Sequence, residues 1–423
     1  MFLRYRDPQL WKEFHLRHWL PRVPTVIRQP FRVFPFSEVV LLRAMKAFEK
    51  GLREGDYRSH CLVSVGDVER PPRRPLKTLF QQPSHTFDEL EQNCAGIFQK
   101  QRFGLMITRF ETVDPSIWSP ITAFLADARR RIDFPVPRAF LDLFYGNYLS
   151  NFTGLHRDTQ EIFAFVVRGK KRILAWPFEY FLGKLKGLGP GARYFHMRLP
   201  LDHRKYRRDA VTLDARPGDI IYWPSDYWHV AEAQDASFSA MISLGVIRQD
   251  CAPKLNQEQE RFRERLTVGS AVPSQNMTDL MPEKNAGRRL RWVTGFGFEL
   301  GGPMDHARPG RSLGNVTVVK KKHSLLLWKV DRERRQIIVS TNGHSIALPR
   351  SRRIETFLNR LSTGESVPVS HSLQRARGDG GSPIFETNWN KRCQLRTRKL
   401  TGKRDLRVSL IDWLLRVYAV ERT

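Results

Sequence analysis

Ile162-Phe163-Ala164-Phe165-Val166-Val167, then Arg168-Gly169-Lys170, then Arg172-Ile173-Leu174-Ala175-Trp176-Pro177, is the stretch that decides the fold. Two short apolar runs flank a glycine turn, which is the pattern of a β-hairpin buried on both faces. Working outward, Ala139 to Tyr145 reads as a strand before it. Pro217-Gly218-Asp219 reads as a turn ahead of Ile220-Ile221-Tyr222-Trp223, and Ser237 to Leu244 closes the set. Hairpins in series with few helices between them point to a jelly-roll barrel. The basic stretch 178–210 interrupts the strands and is expected to be an insertion over the barrel mouth.

The flanks have a different character. Val40, Leu41, Ala44, Met45 and Phe48 recur at helical spacing over 37–54. Thr86-Phe87-Asp88-Glu89 has the form of a capping box and predicts a helix to about Gln99. Gly104 to Phe110 reads as a strand, and Asp114-Pro115 opens another helix. Residues 65–86 are rich in Pro and Arg and read as an exposed connection. Gln257 to Leu266 is helix-like. Beyond 315, short strands (324–328, 336–340, 345–348), an Asn342-Gly343 turn and two helical patterns, around Ile354–Leu361 and Leu410–Tyr418, suggest a winged-helix-like unit. The expected division is 1–95 as an N-terminal helical region, 96–250 as the barrel, 251–314 as a linker, and 315–423 as the winged-helix-like domain. The fold class expected is α+β.

Composition narrows the function. The chain has 423 residues, enough for two or three domains, and 41% hydrophobic content can fill real cores. No apolar run reaches the roughly 20 residues of a membrane span. The N-terminus lacks the pattern of a signal peptide. Cys61, Cys94, Cys251 and Cys393 have no zinc-site or redox-motif spacing, so free thiols in a reducing, cytoplasmic setting are expected. Net charge is +28, from 71 Lys+Arg against 43 Asp+Glu, which suits a polyanion or an acidic peptide. The charge is dispersed, so nucleic acid is the less favoured partner.

The chemistry sits in Thr153-Gly154-Leu155-His156-Arg157-Asp158 and in Pro224-Ser225-Asp226-Tyr227-Trp228-His229. Two histidines and one carboxylate hold a ferrous ion on one face and leave three coordination positions open. A bidentate 2-oxoacid fills two and O2 the third. The distal carboxylate of that cosubstrate needs a counter-charge, and Lys171, on the returning strand, is a compact one. Thr153 could add a hydroxyl donor. Taken alone, Lys171 reads as an ordinary solvated lysine of the turn; together with the triad it reads as the counter-charge.

The pattern Thr153-x-x-His156-x-Asp158, Gly169-x-Lys171-Arg172, then Pro217-Gly218-Asp219 through Trp228-His229 resembles the JmjC family over about residues 140–246. These are iron(II)- and 2-oxoglutarate-dependent oxygenases on a double-stranded β-helix, a cupin-like jelly roll. The resemblance implies that His156, Asp158 and His229 bind iron, and that Lys171 and Thr153 hold 2-oxoglutarate. It also implies that Tyr145 and Ser243 border the cosubstrate, although Tyr145 reads equally as a core aromatic. An aspartate ligand is similar to the protein-hydroxylase branch rather than to the demethylases. The expected reaction is therefore hydroxylation of a side chain in a peptide or protein, such as a ribosomally made precursor peptide. Bacterial ribosomal oxygenases, which also carry a C-terminal winged helix, are an alternative, but they usually have Arg where this chain has Lys171. The resemblance also allows a homodimer. A non-catalytic barrel serving a nucleic-acid-binding regulator, and the same chemistry on a small molecule or a base, are the readings from other classes.

Overall fold

The computed structural model describes residues 5–7, 9–54, 58–65, 84–132, 138–150, 153–182, 184–185, 188, 197–233, 237–247, 286–298, 300–304, 317–321, 324–368, 384–386, 410, 413–415 and 417–422. The expected helix over 257–266 and most of the 65–86 connection lie outside these residues. The chain divides into two compact units, Met1–Val268 and Gly269–Thr423.

The first unit opens with α1 (Leu10–Phe14), a π-helical turn (His15–Trp19) and β1 (Thr25–Ile27). Next come α2 (Glu38–Arg53), β2 (His60–Val65), α3 (Phe87–Ile97), β3 (Phe103–Thr108) and α4 (Pro115–Ile132). The strands then run β4 (Arg138–Gly146), β5 (His156–Arg157), β6 (Glu161–Arg168) and β7 (Lys171–Pro177). After α5 (Glu179–Leu182) come β8 (Met197–Arg198), β9 (Val211–Ala215), β10 (Ile220–Trp223), β11 (Tyr227–Ala233) and β12 (Ser239–Ile247).

These strands form two antiparallel sheets, β1-β10-β6-β12-β4-β3-β2 and β8-β5-β11-β7-β9. The hairpin that opened the sequence reading is thus split between the sheets, with β6 central in the larger and β7 in the smaller. Alternation along each strand determines what each face meets. Ile162, Ala164 and Val166 of β6 pack with Ile173, Leu213 and Ala231 of the smaller sheet in a shared core. The opposite face of β6 carries Phe163 and Phe165, which meet Phe14, Trp19, Phe36 and Phe124 of the helical layer. Both faces of β6 are covered, which is why it reads as a continuous apolar run.

The expected helices form where the sequence places them. Ser37 caps α2 by accepting from Val40 N at 3.3 Å. Thr86 caps α3 by accepting from Glu89 N at 3.2 Å, while Glu89 Oε2 accepts from His85 N at 2.6 Å. Arg168, at the end of β6, ties both helices to the sheet through Glu38 at 2.9 Å, Asp88 at 2.6 Å and Glu91 at 2.8 Å. Gly169 follows with φ +66°, and a Cβ there would lie 2.2 Å from the Phe238 carbonyl oxygen. Gly169→Ala is therefore expected to cost about 1–3 kcal/mol and to lower Tm by several degrees in a thermal melt. An unchanged Tm would mean that the turn relaxes freely.

Of the insertion, β8 joins the edge of the smaller sheet beside β5, and other described residues cover that sheet's outer face. Phe178, Phe181, Leu199 and Tyr206 cover Trp176 and Trp228 there. Trp176 Nε1 donates to Tyr206 O at 3.0 Å, and Trp228 Nε1 donates to Phe178 O at 3.1 Å. Two outward-facing indoles need an apolar cover, and a partner for each N–H. The insertion supplies both.

The second unit contains α6 (Ala286–Thr294), β13 (Thr317–Lys320), β14 (Leu326–Asp331), β15 (Gln336–Thr341), β16 (His344–Pro349), α7 (Arg352–Ser362), β17 (Val367–Pro368), β18 (Ile384–Glu386) and β19 (Val420–Arg422). Its sheets are β14-β15-β16-β18 and β17-β13-β19, with every described pairing antiparallel. Asn342 and Gly343 both have positive φ (49° and 78°), as a tight hairpin turn requires. Phe357, Leu361, Leu410, Trp413 and Leu414 share a core with Trp328 and Val339. α6, which falls in the stretch expected to be a linker, packs on β14–β16. Among the described residues, no helix is long and apolar enough to cross a membrane.

Candidate metal centre

β5 is only two residues long, yet it brings the distant histidines together. It pairs with β11 so that His156 stands directly opposite His229. The two rings lie 4.2 Å apart, centre to centre. Asp158 follows in the loop after β5, with its Oδ2 3.8 Å from His156 Nε2 and 3.5 Å from His229 Nε2. One ligand atom from each of the three residues falls within 4.8 Å of the others. Ligands about 2.1 Å from a metal on perpendicular axes sit about 3 Å apart, so a small contraction closes this set around an ion.

The tautomers suit a metal. His156 Nδ1 donates to Gly154 O at 2.8 Å, and His229 Nδ1 donates to Tyr227 O at 3.4 Å. A carbonyl only accepts, so each Nδ1 carries the proton and each Nε2 keeps its lone pair for coordination. Trp223 packs against the His229 ring at 4.9 Å and limits its rotation. Both imidazoles are buried, and Asp158 is half-buried at the open side. Two imidazole nitrogens and one carboxylate oxygen are the donors expected of a ferrous site with open positions.

Lys171 lies on the same inner face as the histidines. Its strand partner on β11 is Ala233, while His229 pairs with Ala175. Lys171, Ile173 and Ala175 alternate onto one face, and Ile173 belongs to the core between the sheets. The step from His229 to Ala233 spans about 13 Å of strand, which a lysine side chain and a five-carbon diacid can bridge together. Lys171 is completely buried. Its Nζ donates to the Tyr148 hydroxyl and lies 4.1 Å from the centre of that ring. Burial pulls the ammonium down to about 7 and pushes the Tyr148 phenol well above its usual range. A buried lysine whose described partner is a neutral phenol lacks the counter-charge that burial of an ammonium calls for.

The remaining predicted residues separate. Ser243 shares the inner face of β12 with Met241 and pairs with Asp142 of β4. Thr153 stands half-buried three residues before His156. Tyr145 is not brought to the metal centre. It lies on the other face of β4, among Phe87, Phe103 and Phe238, as a core aromatic. Tyr148, three residues on, is the tyrosine that meets Lys171. Tyr145 lies near the end of β4, and Tyr148 lies just beyond it.

Two further carboxyls escaped the sequence reading. Asp142 accepts from Arg109 N at 3.3 Å, and burial together with the charge of Asp158 pushes it up to about 7. Glu111 is buried beside it and is pushed up to about 8, chiefly by desolvation. His203 and His344 hydrogen-bond Glu232 and the Gly302 carbonyl respectively, each at 2.9 Å.

No family model and no curated protein matches the chain. Among solved structures, the chain is similar to YcfD, a ribosomal oxygenase from Escherichia coli. One structure of that protein, in complex with cobalt and succinic acid, aligns at 14% identity and a TM-score of 0.47, over 99% of this chain and 99% of that one. A second, in complex with cobalt and 2-oxoglutarate, aligns at 14% identity and 0.46, again over 99% of both chains. An X-ray structure of the same protein aligns at 13% identity and 0.47, over 100% of both.

Proposed function

We propose that this protein is an iron(II)- and 2-oxoglutarate-dependent oxygenase that hydroxylates a side chain of a peptide or protein. The observation that carries the reading is the convergence of His156, Asp158 and His229, with both Nε2 atoms turned toward the Asp158 carboxylate and the buried Lys171 on the same inner face. The two packed sheets, with β5 and β11 adjacent in the smaller, are read as a double-stranded β-helix.

When bound, iron would activate O2 at the expense of 2-oxoglutarate, which becomes succinate and carbon dioxide. The chain's own residues account for the rest. His156, Asp158 and His229 would supply three ligands on one face and leave the opposite face for cosubstrate and oxygen. Lys171 would meet the distal carboxylate, with Tyr148 beside it and Thr153 as a further donor. Ile173, Ala231 and Met241 keep the space behind the ligands dry, which strengthens every charge interaction there. Ser243 borders the same space. The C-terminal unit is read as a winged-helix-like module that docks substrate or assembles subunits.

The test is turnover. Full-length protein with iron(II), ascorbate and 2-oxoglutarate should form succinate, and a hydroxylated peptide should gain the mass of one oxygen atom. The substrate panel should include acidic precursor-type peptides and ribosomal proteins. Succinate without any modified peptide would leave the oxygenase reading intact and remove the peptide substrate. No succinate under any condition would remove both.

A further inference from the structure

Arg157, the residue between the two ligands His156 and Asp158, does not face the metal centre. Its side chain runs behind β5 and is 1% exposed. The guanidinium lies 5.3 Å from the Phe178 ring centre and 6.0 Å from that of Trp228. Its Nη1 donates to the Ser225 carbonyl at 3.0 Å and to the Asp158 carbonyl at 3.4 Å. Ser225 belongs to the turn Pro224-Ser225-Asp226 that leads into β11 and His229. One side chain thus ties the segment that carries His156 and Asp158 to the turn that leads to His229.

The same turn is held from a second direction. Arg22, far away in the N-terminal segment, donates to Asp226 Oδ2 at 2.6 Å and to Ser225 Oγ at 2.9 Å. It also pairs with Glu161 at 3.0 Å. Glu161 is wholly buried and accepts from the Tyr222 hydroxyl at 2.8 Å and from Ser225 Oγ at 3.3 Å. Phe178 N donates to Asp226 O at 2.8 Å. Stability alone gives little reason for this arrangement, since well-packed apolar side chains often replace buried charges at no loss. What the network does provide is a fixed separation between β5 and the start of β11.

We infer that Arg157 is a positioning residue for the metal centre, a strut that sets the distance from His156 and Asp158 to His229, with Arg22 bracing the far side of the turn. The inference rests on the metal-site reading above. Outer contacts that orient ligands typically govern metal affinity by about 10–100-fold. The apolar Arg157→Met is the direct variant, and Arg22→Gln is a second that leaves the core of the sheet untouched. Arg172→Met, which breaks an ion pair with Asp214 at 2.6 Å away from this turn, is the control.

The experiment is a cobalt(II) titration of the full-length protein, followed by calorimetry and visible absorption, with circular dichroism to establish folding. The wild type should bind one equivalent, and His156→Ala should abolish binding. Arg157→Met should remain folded, bind cobalt about 10–100-fold more weakly and show an altered ligand-field spectrum, which loss of stability alone does not produce. Arg22→Gln should weaken binding in the same direction, and Arg172→Met should match the wild type. Folded Arg157→Met with wild-type affinity and spectrum would overturn the inference while leaving the metal site standing. If Arg157→Met does not fold, Arg22→Gln decides, and wild-type affinity there overturns it. Failure of the wild type to bind cobalt would remove the metal-site reading itself, and the strut with it.

Discussion

Alanine at His156, Asp158 or His229 is expected to abolish iron-dependent conversion of 2-oxoglutarate to succinate, each to the level of iron without protein. The three ligand atoms come from β5, the loop after it and β11, and among the described residues no other group of three His, Cys, Asp or Glu side chains is arranged to hold a metal. Losing one leaves two ligands and admits water to the vacated position. Loss of a histidine also removes a ring from the 4.2 Å pair, and some loosening of the β5–β11 contact is expected with it. Asp158→Ala separates the two effects, because Asp158 lies outside the strands. It should keep the wild-type circular dichroism spectrum and Tm of the metal-free protein while losing turnover. Retained turnover in Asp158→Ala would remove the carboxylate from the site.

Lys171→Ala should have the second largest effect, and it should fall on the cosubstrate. Truncating one partner of a buried charge pair costs about 2–5 kcal/mol, or about 30- to 4,000-fold in affinity for 2-oxoglutarate. Metal affinity should change little. The pH dependence follows from burial, which lowers the ammonium to about 7 in the absence of cosubstrate. A bound carboxylate stabilises the ammonium and raises its pKa, so binding takes up a proton above pH 7. Affinity should therefore be greatest below pH 7 and fall about tenfold per unit above it, until the pKa of the bound state is passed. Lys171→Arg should flatten that profile, because a guanidinium stays charged throughout. Tyr148→Phe removes the phenol from Nζ and should change the midpoint of the profile more than its slope. A wild-type profile that is level from pH 6 to 9 would show that Lys171 is fully charged before binding.

Much of this was legible in the sequence for definite reasons. β6 and β7 were read because both faces of β6 are covered, so the run 162–167 is continuously apolar, and Gly169 marks the turn through a conformation other residues avoid. The caps at Ser37 and Thr86 are local side-chain chemistry, visible in a few residues. The metal ligands were legible because coordination restricts residue type. The tyrosines were not. Tyr145 and Tyr148 differ by three positions; alternation within β4 sends Tyr145 against Phe87, and the backbone after Gly146 brings Tyr148 to Lys171. The apolar residues of the insertion were not singled out, because their role in covering Trp176 and Trp228 becomes evident only once the outer face of the smaller sheet is known. Asp142 and Glu111 carry no motif at all and become notable only by proximity to Asp158.

The central claim is that the triad and Lys171 form one site for a metal and a dicarboxylate together. An anaerobic calorimetric titration of the full-length protein with 2-oxoglutarate, with and without iron(II), tests it most directly. Tight, saturable binding that requires the metal and is lost alike in Asp158→Ala and Lys171→Ala is expected. Binding of equal strength without metal, or binding indifferent to Lys171→Ala, would contradict it.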